Sequence, residues 1–141
     1  MYVESFVLTA EPPDLRGGTI QLGRVHDGAF AIEGFPGEIE FGALLELVFD
    51  EDDPPGSYEV ELVLEYSRHE GAPQAPVGAA FGIEVVDPDS DWWGPRIVPQ
   101  PLRLRIAIYD EFEGYLVVKV NGEEVAEKAL RVFQHHVPEG I

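Results

Sequence analysis

The chain contains no cysteine, one methionine and only nine lysine and arginine residues among 141. The missing thiols exclude disulfides, thiolate nucleophiles and every metal site built on sulfur. The scarcity of cations, set against 27 aspartate and glutamate residues, leaves a formal net charge of −18. Such a field repels nucleic acid phosphates and anionic membranes, so neither is expected as a partner, whereas a basic protein or a divalent cation is attracted. It also serves solubility and opposes self-association. Long apolar runs are missing too. The opening MYVESFVLTAEPP has no basic leader and carries Glu4 inside its apolar stretch, so it reads as neither signal peptide nor membrane anchor. The expected location is cytoplasmic.

Catalytic signatures are equally sparse. Ser5, Ser57, Ser67 and Ser90 all lie outside a G-x-S-x-G context, and there is neither a P-loop nor a G-x-G-x-x-G after a strand. His26, His69, His135 and His136 lack the spacing of a helical zinc pair. Adjacent His135 and His136 point to opposite sides of an extended chain. The sequence therefore points away from an enzyme, and no cofactor is expected.

What the chain has in abundance is alternation. Tyr58, Val60, Leu62, Leu64 and Tyr66 interleave with Glu59, Glu61, Val63 and Glu65, and Leu102, Leu104, Ile106 and Ile108 with Arg103, Arg105 and Ala107. A period of two makes one strand face apolar and the other wet, which argues for antiparallel sheets in a sandwich or barrel. Twelve prolines and fifteen glycines interrupt almost every window long enough for a helix. Glu123–Phe133 (EEVAEKALRVF) is rich in helix formers. Asn121-Gly122 before it is a hairpin signal, because both residues tolerate the positive φ of a type I′ turn.

Strands are expected at 2–9, 19–24, 28–33, 40–49, 57–67, 79–86, 101–109, 114–120 and 124–133. The reading is one domain over 1–141, all-β: an Ig-like antiparallel β-sandwich of seven to nine strands. Its expected core draws on Phe6, Leu8, Phe41, Leu45, Leu47, Tyr58, Val60, Leu62, Leu64, Phe81, Ile83, Val85, Leu104, Ile106, Ile108, Val118 and Val120. The acidic row of Glu59, Glu61 and Glu65 suggests pairing with Arg103 and Arg105 on a neighbouring strand. In the last hairpin, Lys119 is expected opposite Glu124 and Val118 opposite Val125. Leu130 and Val132 then have the wrong parity for the core, so a bulge near Glu127–Lys128 is expected to restore them.

Two loops carry candidate sites. Asp87, Asp89 and Asp91 have the alternate spacing that opens a calcium loop, but Trp92 and Val98 stand where an EF-hand needs Gly and Glu. A sandwich-type calcium site would need Asp50, Asp52 and Asp53 from the turn at 50–56 as well. Solvated turn carboxylates are the simpler explanation. Trp92 and Trp93 adjoin in the long Asp87–Pro99 loop. One can lie exposed as a partner-binding or sugar-stacking surface, unless one plugs the open end of the sandwich and the other leans on Pro95.

The order of elements resembles a family of small bacterial β-sandwich proteins classed as a domain of unknown function. The resemblance runs over most of the chain. It covers Gly17-Gly18-Thr19-Ile20-Gln21-Leu22-Gly23, Phe35-Pro36, Phe41–Phe49, Gly56-Ser57-Tyr58, Arg68-His69-Glu70-Gly71 and the closing Tyr115–Glu123 hairpin. It implies a sandwich fold and a bacterial or phage origin, and transfers no site residues. The function expected is a non-catalytic binding or scaffolding module that meets a protein partner. The alternative is a calcium- or carbohydrate-binding sandwich using the loops at 50–56 and 87–95.

Overall fold

The computed structural model describes residues 1–16, 19–66, 79–85 and 95–135. Ten strands follow one another: β1 (Tyr2–Thr9), β2 (Asp14–Arg16), β3 (Thr19–Gln21), β4 (Ala29–Ile32), β5 (Gly37–Phe49), β6 (Gly56–Tyr66), β7 (Ala80–Val85), β8 (Arg96–Ile108), β9 (Phe112–Val120) and β10 (Glu123–Gln134). No helix occurs among the described residues, and so none is long and apolar enough to cross a membrane. One sheet has the order β1-β5-β8 and the other β4-β10-β9-β6-β7, while β2 and β3 form a separate small ladder. Among the described residues the two sheets hold eight strands, within the expected seven to nine; the unexpected element is β2, because Asp14–Arg16, directly behind Pro12-Pro13, is too short to show a period of its own.

The two sheets share one core. Along β5 the inward residues Ile39, Phe41, Ala43, Leu45, Leu47 and Phe49 are each at most 3% exposed. They join Val60, Leu62, Leu64, Leu116, Val118, Leu130 and Val132 of the second sheet in a single cluster. Burying one such aliphatic or aromatic side chain contributes about 1.5–3 kcal/mol. Of the expected core, Tyr58 and Phe81 are only partly buried and pack against the cluster from outside. Every other expected member is buried.

Not all pairing is antiparallel. β4 runs parallel to β10, with Arg131 opposite Ala29 and Gln134 opposite Ile32. The cause is a crossing between sheets. Val25 bridges Thr9 on the outer edge of β1, where Ala10 N–H donates to Arg24 O and His26 N–H to Leu8 O, both at 2.8 Å. The chain then changes sheets at Gly28, whose φ of +86° and tight approach to the Ala129 carbonyl leave no room for a Cβ. His26 Nδ1 accepts the Gly28 N–H at 2.9 Å, and its ring stacks on Phe30 at 4.2 Å.

The closing hairpin bulges, though not where parity alone placed it. Glu124 pairs with Lys119, but Val118 faces Ala126 rather than Val125. The extra residue is thus Val125, beside the turn, instead of Glu127–Lys128. The effect is the expected one: Leu130 and Val132 turn inward and are each 1% exposed. The expected pairing of β6 with β8 does not form, because the two lie in different sheets. β8 pairs with β5, whose Glu38 and Glu40 supply the carboxylates that Arg105 and Arg103 take.

Candidate functional site

The acidic turn after β5 is fastened from three sides. The Asp53 carboxylate binds the Met1 ammonium at 2.7 Å and accepts the Asp50 N–H at 2.8 Å. The Met1 donor, aided by the Asp50 N–H and the Arg96 charge, holds this carboxyl below the usual carboxylate range against the opposing effect of desolvation. Arg96 Nη2 donates to the Asp50 and Asp53 carbonyls at 3.0 and 3.1 Å, and Tyr58 OH to the Pro54 carbonyl at 2.6 Å. Asp53 is therefore engaged within the turn, whereas Asp50 and Asp52 are exposed. Asp87, Asp89, Asp91, Trp92 and Trp93 lie outside the described residues. Among those described, no group of three or more Asp, Glu or His side chains is arranged to hold a metal ion.

The long loop expected at Asp87–Pro99 ends earlier than read, because β8 already begins at Arg96 and runs through Pro99 and Pro101. Proline is tolerated there because β8 is an edge strand. Every residue from Arg96 to Ile108 has a partner on β5. An unbroken antiparallel ladder alternates residues that bond the partner with residues that bond outward. Since Pro99 and Pro101 have no N–H to give, the odd-numbered residues must be the outward set. The opposite edge agrees: Leu8 and Ala10, on the far side of β5, also direct their groups outward, to His26 and Arg24.

The consequence is a divided edge. Pro99 and Pro101 present carbonyls without donors, which blocks half of β8 against strand pairing. Arg103, Arg105 and Ala107 present both N–H and C=O, and no strand among the described residues pairs with them. Directly beside this open half lies a cavity of about 240 Å³ between the sheets. Leu62 and Leu116 from one sheet, Leu104 and Ile106 from the other and Ala79 at the side line it, together with Arg103 and Arg105 of β8. On the outer face, Arg103 Nε donates to Glu40 Oε1 at 2.9 Å and Arg105 Nε to Glu38 Oε1 at 2.7 Å. The hydrogen bond and charge of Arg103 hold the Glu40 carboxyl below its ordinary value.

Sequence reasoning missed this site although its signal was present. Pro99, Pro101, Arg103, Arg105 and Ala107 share one parity, which marks one side of one strand. What the sequence withheld was that β8 stands at an edge.

Elsewhere, the outer face of the three-stranded sheet carries a rung in which half-exposed Tyr2 and Ile97 flank covered Val48. A second surface groove of about 240 Å³ lies where Asp27–Ala29 meets β9 and β10, lined by Glu113, Tyr115 and Arg131 among others. No protein-family model, no curated protein and no solved structure matches the chain.

Proposed function

We propose that the chain is an Ig-like β-sandwich acting in the cytoplasm as a non-catalytic binding or scaffolding module that meets a protein partner. The observation that carries this reading is the half of β8 whose outward side no strand among the described residues covers, lying beside a largely aliphatic cavity. Backbone donors and acceptors next to an apolar slot suit a polypeptide better than a small polar metabolite. Membership of the bacterial β-sandwich family, and a partner contact through Trp92 and Trp93, belong to the same proposal on sequence grounds.

The test is site-specific photo-crosslinking in an extract of the source cell. The crosslinker is placed in turn at Ala107, Ile97, Tyr115 and Trp92. A discrete protein adduct from one or more positions supports the reading. No adduct from any position would contradict it.

The ion- or sugar-binding alternative has one structural observation in its favour. Arg96 ties the Asp50–Asp53 turn to the start of β8. The turn therefore lies against the first residue of β8.

A further inference from the structure

We propose that the Arg103–Ala107 half of the β8 edge captures an extended partner segment by strand addition, and that this segment alternates acidic with apolar residues. The inference rests on the protein-binding reading above and specifies its site and chemistry. Three independent observations converge on it. The first is the ladder parity, which aims the N–H and C=O groups of Arg103, Arg105 and Ala107 outward. An added strand satisfies them with main-chain hydrogen bonds, which supply affinity without regard to sequence.

The second observation is the cavity. Residues opposite each other on neighbouring strands share a face, so those opposite Leu104 and Ile106 point toward the space between the sheets. There Leu62, Ala79 and Leu116 complete a largely aliphatic pocket of about 240 Å³, which Arg103 and Arg105 also line. One branched aliphatic side chain fits such a space, whose aliphatic part between the sheets offers a charge no partner.

The third is charge. Residues of the incoming strand opposite Arg103 and Arg105 lie on the outer face beside two guanidinium groups that are 69% and 68% exposed. Arg103 engages Glu40 through Nε and Nη2, and Arg105 engages Glu38 through Nε. Each guanidinium carries five N–H donors, so each retains donors for a second carboxylate. β5 shows the arrangement from its own side, presenting Glu38 and Glu40 outward and Ile39 and Phe41 inward. The expected ligand repeats that pattern on the other flank of β8. A partner segment of this composition is surprising for a chain of charge −18; the selectivity is local, set by the two arginines at the edge.

Pro99 and Pro101 fix the extent of the site. On the first half of the edge they leave outward only the Ile97 N–H, so continuous pairing is confined to the five residues from Arg103 to Ala107.

The experiment uses two capped heptapeptides, EVELEVE and KVKLKVK, titrated into the labelled full chain and followed by amide chemical shifts and hydrogen exchange. The acidic peptide is expected to bind saturably, slow exchange at Arg103, Arg105 and Ala107, and shift the methyl signals of Leu62, Leu104, Ile106 and Leu116. The lysine peptide should bind at least about tenfold more weakly. Ala107→Pro removes an outward N–H at the parity that already tolerates Pro99 and Pro101, so it should fold normally and weaken the acidic peptide by about tenfold. If that variant does not fold, Ala79→Leu serves instead, filling the cavity and excluding the apolar side chain.

Equal affinity for the two peptides would overturn the proposal, as would no binding of either or an unchanged affinity in both variants. Protection of Arg103–Ala107 through dimerisation of the chain alone would replace the partner segment by a second copy. An adduct trapped only at Ile97, Tyr115 or Trp92 would overturn the edge site while leaving the protein-binding reading intact.

Discussion

Arg103 and Glu40 show how a single ion pair takes part in both folding and the outer surface. Glu40 titrates below its ordinary value of 4.5, first because Arg103 hydrogen-bonds its charged form and then because the guanidinium charge lies beside it. A depressed carboxylate contributes stability above the unfolded value and loses it as pH falls through the folded one. The melting temperature of Glu40→Gln should therefore lie below that of the parent at pH 7, and the difference should shrink and vanish as pH falls through the lowered folded-state value. Because the pair is exposed, the difference at pH 7 is small and shrinks in salt. Thermal melts across this range check it; a gap that persists at pH 2.5 would mean that the glutamate acts through packing.

Gly114 makes a sharper demand. It pairs with Tyr66 on β6 and Leu130 on β10, and an added Cβ would strike the Glu65 carbonyl and the Phe112 ring. Gly114→Ala should cost about 1–3 kcal/mol in denaturant unfolding. Gly34→Ala, where a Cβ meets nothing within 4 Å, should cost far less.

At the scale of elements, the alternating strands were legible because each buries a single face. Parity in the last hairpin also revealed that an extra residue was needed, since Leu130 and Val132 had to return to the core. Its place was not legible: any insertion between the turn and Leu130 corrects the phase equally well, and the structure puts it at Val125. The partner of β8 was misread for a related reason. Glu38 and Glu40 offer Arg103 and Arg105 the same complementary charge as Glu59 and Glu61, so charge pattern alone did not choose between β5 and β6. The start of β8 was hidden by its prolines, which read as loop unless the strand is known to be an edge. Replacing both by threonine restores two outward donors without touching the β5 ladder. Pro99→Thr with Pro101→Thr should leave the fold intact and raise self-association, as sedimentation velocity at rising concentration would show. An unchanged monomer fraction would mean that the prolines do not guard the edge.

For the whole molecule, the dominant quantity is the charge of −18, which repels itself across the chain. Screening should raise the melting temperature at neutral pH, with calcium and magnesium acting alike at equal ionic strength. Neither the described acidic turn, whose Asp53 is engaged by Met1, nor the remaining described carboxylates form a metal cluster. A calcium-specific rise over magnesium, abolished by Asp89→Asn with Asp91→Asn, would instead favour the ion-binding alternative, because magnesium's strict octahedral demand suits such loops poorly.

The sandwich-like frame matters to function mainly through the outward half-edge of β8, which no strand among the described residues covers, and residue-resolved hydrogen exchange along β8 tests that claim most directly. The ladder directs the amides of Leu102, Leu104 and Ile106 to β5 and those of Arg103, Arg105 and Ala107 outward. Alternation is therefore expected in the free protein: slow exchange at the first three, limited by opening of the sheet, and fast exchange at the other three. Uniformly slow exchange from Leu102 to Ala107 would show the edge to be covered already and would contradict the account.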